Sequence, residues 1–117
     1  MILLALFPLV TGVLALLAPA TFFEQIGRYA PENLHYVGDV GAFSAAFGAV
    51  LLLAAARPAW RVPLLVLGAG WYALHALNHL FDVDEARSQA RGIADTVALA
   101  AGAALHAALA RIAGARP

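Results

Sequence analysis

Two histidines, His75 and His79, stand four residues apart in a segment that also carries Trp71, Asn78 and Asp82. From Trp71 to Asp82 the steps are four, three, one and three, which on an α-helix puts all five side chains on one stripe. Imidazoles at i and i+4 have the spacing of zinc ligands built on one helix face, and an aspartate completes such a set to three or four ligands. The residue after His75 is Ala76. The glutamate of the HExxH proteases is therefore missing, and metal-assisted proteolysis is not indicated. His35 and Asp39 repeat the four-residue spacing, and Asp95 follows the stripe by a short loop and one helical turn.

These groups are informative because of the elements that must hold them. Uncharged apolar stretches run over Met1 to Phe23, Val40 to Ala56, Val62 to Phe81 and Thr96 to Ala110, near the roughly 20 residues that cross a bilayer. The chain is 63% hydrophobic and 12% charged, with a mean hydropathy of +0.83. A soluble bundle of 117 residues needs polar outer faces, and here those faces would be Leu, Val and Ala. The expected fold is all-α: a polytopic membrane protein, one domain, a four-transmembrane-helix bundle with helices at about 2–18, 32–56, 62–81 and 91–113. A signal peptide ending in Leu17-Ala18-Pro19-Ala20 is disfavoured, since Met1 to Leu4 has no basic n-region. Without cysteine there is neither a disulfide framework nor a thiolate metal site.

Between the first two spans, Thr21-Phe22-Phe23-Glu24 has the form of a capping box. It predicts a short interfacial helix over 22–29, with Phe22, Ile26 and Tyr29 on one face toward membrane lipid. Pro31 is expected in the first turn of the next helix, Trp60 in the aromatic belt, and Asp84 or Ser88 as the cap of the last helix. Gly41 with Ala45, Ser44 with Gly48, and Ala98 with Gly102 are small residues four apart that let helices approach closely. Such surfaces serve intramolecular packing, a homo-oligomer or a larger membrane complex equally.

Four crossings put all seven acidic residues, together with His35, His75 and His79, toward one side. The other side holds both termini and the second loop, with Arg57, Arg61, Arg111 and Arg116 and no acid. The positive-inside rule makes that side cytoplasmic, in the inner (plasma) membrane. A net charge of zero and the lack of any basic run exclude nucleic acid as a partner.

By helical rise, Asp39 lies about 12 Å from Pro31 and His75 about 9 Å inside Phe81, depths at which polar groups are costly and face the bundle. Three uses fit them. One is a hydrogen-bonded network, with Asp39 or Asp95 holding an imidazole and Asn78 bonding a carbonyl. A second is a cofactor site: a divalent metal on His75 and His79, or haem between His35 and His79. The third is a proton-linked carrier or small-ligand site lined by His35, Asp39, Trp71, Asn78, Asp82 and Asp95. His106, about 16 Å beyond Asp95, is expected to be a packed or interfacial histidine. No glycine-rich phosphate loop or GxSxG elbow is present, so the residues favour an accessory or ligand-binding protein over an enzyme.

Pro19-Ala20, Leu34-His35-Tyr36, Gly38 to Gly48, the turn Ala56-Arg57-Pro58-Ala59-Trp60-Arg61 and the motif His75-x-x-Asn78-His79-Leu80-Phe81-Asp82 together resemble small four-helix DoxX-like membrane proteins of high-GC bacteria. The resemblance covers most of the chain and implies a four-helix membrane bundle. Some of those proteins accompany thiol or sulfur redox systems. With no cysteine here, a direct thiol role does not carry over.

Overall fold

The computed structural model describes residues 1–115. Arg116 and Pro117, counted above with the basic side, lie outside the described residues. The order is α1 (Ile2–Leu17), α2 (Pro19–Gln25), α3 (Leu34–Ala56), a 3₁₀ turn (Pro58–Trp60), α4 (Arg61–Phe81), a second 3₁₀ turn (Val83–Glu85) and α5 (Gln89–Gly114). The described residues form no β-sheet. The segments Leu34–Ala56, Pro58–Phe81 and Gln89–Gly114 are long and apolar enough to cross a membrane, whereas α1 is a shorter apolar helix of 16 residues. The architecture is consistent with a polytopic helical membrane protein. The chain forms two compact units, the first Met1–Pro58 and the second starting at Ala59.

In the first unit, α1 and α3 pack antiparallel through small residues. A Cβ on Gly41 would lie 2.8 Å from the Ala15 Cβ, and one on Gly48 would lie 2.5 Å from the Leu9 nitrogen. Gly12 meets the backbone of Ala45 and Gly41 in the same way. These contacts work only because no side chain stands between the two backbones, the means by which helices associate where lipid removes any hydrophobic drive. Ala5, Pro8, Gly12 and Ala15 are the buried residues of α1, while Leu3, Phe7, Val10 and Leu17 are exposed.

The short helix differs from its expected form. It begins at Pro19, with Ala18 at the N-cap and no side-chain cap. Proline, with φ already set and no N–H to satisfy, opens a helix at its first position, so the chain turns helical before Thr21. Thr21 is thus inside α2 and caps nothing. The helix closes at Gln25, where the N–H groups of Ile26 and Gly27 both donate to the Phe22 carbonyl. Ile26 is therefore the C-cap and Tyr29 falls beyond it, so the helix is shorter than the expected 22–29; its buried aromatic is Phe23. Similarly, α3 starts at Leu34 rather than at Pro31, because the Asn33 side chain caps it by accepting from the Tyr36 N–H at 3.2 Å.

In the second unit, α4 and α5 form an antiparallel hairpin. Gly92 packs on Val83, Gly102 on the Tyr72 ring and Gly114 near Val62. Leu65, Gly68, Tyr72 and Ala76 form the buried stripe of α4, and Gly92, His106 and Ala110 that of α5. Of the expected pair Ala98 and Gly102, only Gly102 meets α4; Ala98 is exposed. Ser88 caps α5, its hydroxyl accepting from the Arg91 N–H at 3.2 Å.

Candidate functional site

The sequence places the histidine stripe one position away from the buried stripe of α4, and the structure keeps it there. Trp71, His75 and His79 are half-buried along the margin of the helix face that packs on α5, whereas Asn78 and Asp82 are exposed. Helical spacing stacks the rings. The centroids of Trp71 and His75 are 5.3 Å apart, and those of His75 and His79 are 4.7 Å apart, edge to face. The two Nε2 atoms lie 3.1 Å from each other. At that distance one ring donates and the other accepts. Two neutral rings joined this way carry opposite tautomers, one protonated on Nε2 and the other on Nδ1.

Carboxylates stand around the outer end of this pair. The contacts of Gly102 and Gly114 with α4, and of Gly92 with the 3₁₀ turn that follows it, set a register in which Asp95 is level with His79. Asp95 and Asp82 are both close enough for their charges to act on the His79 ring. Each acid is also held within its own helix. Arg91 Nε donates to the Asp95 carboxylate, at 2.9 Å from Oδ1 and 3.0 Å from Oδ2, and Asn78 Nδ2 donates to Asp82 Oδ2 at 3.1 Å. Arg91 belongs to this cluster without being one of the residues expected above; its signal in the sequence is an opposite charge four residues before Asp95, the ordinary helical ion-pair spacing.

The remaining expected residues are placed differently. His35 and Asp39 belong to the first unit, where their side chains approach to 3.6 Å. With side chains 81% and 66% exposed, they form the kind of surface pair that contributes little to stability. His106 is packed, as its position suggested: it is 3% exposed, its ring lies 5.0 Å from Tyr72, and its Nδ1 donates to the Gly102 carbonyl at 2.8 Å. Tyr72 gave no signal in the sequence, since its contact with His106 exists only in the α4–α5 register. Among the described residues, no three His, Asp or Glu side chains stand together as a ready ligand set for a metal.

No family model, no curated protein and no solved structure matches the chain.

Proposed function

We propose that this chain is a small DoxX-like protein of the plasma membrane that crosses the bilayer four times, and that it acts as an accessory or ligand-binding protein. Its ligand would lie on the α4–α5 face bearing His75 and His79, opening to the extracytoplasmic side. The DoxX-like reading rests on the His75-x-x-Asn78-His79-Leu80-Phe81-Asp82 motif and the Ala56 to Arg61 turn. Four crossings are supported by the pairing of α1 with α3. If α3 spans the bilayer, α1 runs beside it from Leu9, against Gly48, to Ala15, against Gly41. Its 16 residues cover about 24 Å, and α2 then lies at the interface.

The observation that carries the binding reading is the Nε2-to-Nε2 approach of His75 and His79 at 3.1 Å, beside Trp71 and within reach of two carboxylates. Polar groups in a spanning helix are expensive, and α4 gathers His75, Asn78 and His79 into its last two turns. The competing use is a hydrogen-bonded lock, which the local bonds Asn78 to Asp82 and Arg91 to Asp95 also suit. The two readings part on one variant. Native mass spectrometry of the purified protein should find a bound small molecule, such as a lipid or quinone, or an ion, that His79→Ala lacks while keeping its helical content and detergent stability. A destabilised His79→Ala, with nothing bound to the parent, would refute ligand binding and leave a structural network.

A further inference from the structure

We propose that the ligand of the α4–α5 site is a divalent transition-metal ion of the zinc, copper or nickel class, held by Nε2 of His75 and Nε2 of His79, with water in its remaining positions. This rests on the ligand-binding reading above and specifies it. Two imidazole nitrogens bound to one tetrahedral ion, each at about 2.0–2.1 Å, stand about 3.3 Å apart. The observed separation of 3.1 Å is already close to that value. No backbone movement is needed to bring the two donors onto one ion; the rings only re-aim about their side-chain bonds.

The proton balance is also simple. In the hydrogen-bonded pair, one ring carries its proton on Nε2 and the other on Nδ1. When the ion binds, the first ring moves its proton to Nδ1, and both imidazoles bind as neutral ligands with no net proton release. Asp95 of α5 is level with His79 and half-buried, and its carboxylate stays paired with Arg91, so it is a neighbour of the ion and not one of its ligands. Imidazole donors select zinc, copper and nickel over magnesium or calcium, which prefer all-oxygen shells. Asp82, Asp84 and Glu85 at the same hairpin end add the negative field that concentrates a cation there.

Trp71 provides the readout, because its ring is 5.3 Å from that of His75 and a paramagnetic ion at the pair quenches it. The protein has two tryptophans, so Trp60→Phe leaves Trp71 as the one tryptophan, excited selectively over the tyrosines at the red edge of the absorption band. In detergent, Ni²⁺ or Cu²⁺ should quench this variant saturably with one ion per chain, and Zn²⁺ should reverse the quench by competition. Magnesium should do nothing. His75→Ala should remove saturable binding, whereas Asp95→Asn should keep one saturable ion per chain. His79→Gln distinguishes a ligand from a structural bond: glutamine still donates a hydrogen bond to His75 but is a poor metal ligand, so the fold is retained and the quench lost. Saturable binding that survives His79→Gln in a folded protein would overturn the proposal. If there is no saturable quench but an organic molecule co-purifies, the metal assignment fails and the ligand-binding reading stands; if nothing binds at all, both fail.

Discussion

Gly48→Ala adds one methyl group to a close approach between α1 and α3. That carbon would stand 2.5 Å from the Leu9 nitrogen and 2.7 Å from its Cα and Cβ. Ordinary carbon contacts are about 3.5–4.0 Å, so α1 must withdraw by about 1 Å, since two of the three atoms met are backbone and cannot rotate away. A gap of that size forfeits roughly a quarter to a half of each contact's well depth of about 0.1–0.2 kcal/mol. Over several tens of atom pairs along α1 the loss is about 2 kcal/mol, inside the 1–3 kcal/mol typical of an overpacked core, roughly. Gly38 of the same helix is the matched control, because nothing lies within 4 Å of a Cβ placed there. There the same substitution should stabilise, by about 0.5–1 kcal/mol, through lower chain entropy alone. The assay is reversible unfolding by sodium dodecyl sulfate in mixed micelles, followed by circular dichroism. Opposite signs for the two variants are expected. A Gly48→Ala protein as stable as the parent, or two variants of equal effect, would refute the close α1–α3 packing.

Three further outcomes are expected. Ser88→Ala should cost about 1 kcal/mol and speed amide exchange at Arg91, whereas Thr21→Ala should cost less than about 0.5 kcal/mol, because Thr21 lies inside α2 and caps nothing; hydrogen exchange and micellar unfolding measure both. His106→Ala opens a hole beside Tyr72 and removes the bond to Gly102, and should cost about 2–4 kcal/mol by the same unfolding assay. For topology, a reporter inserted between Pro58 and Ala59 should read cytoplasmic and one between Ser88 and Gln89 exported; inverted signals would reverse the proposed orientation.

Much of this molecule was legible along one dimension. Apolar runs and their flanking charges located α3, α4 and α5 to within a few residues, because helix length in an apolar stretch is set locally by where the charges and caps fall. The i, i+4 spacing of His75 and His79 already implied that the rings meet, since neighbours on one helix need no tertiary partner to be brought together. The Ser88 cap was readable for the same reason, as one of two local candidates with Asp84. The error at Thr21 was a competition between two local signals, in which Pro19 opened the helix a turn before the capping box.

What the sequence left open was every relation between helices. The exposed Ala98 and the packed Gly102 are both small residues on α5, and only the α4 register separates them. Likewise, only tertiary structure put Asp95 level with His79, buried His106 against Tyr72, and made Phe23 rather than Phe22 the buried aromatic of α2. The physical reason is that periodicity defines a face but not the partner it meets. Where helices associate through small residues instead of large apolar knobs, the pairing is chosen by backbone fit, which exists only once both helices are in place.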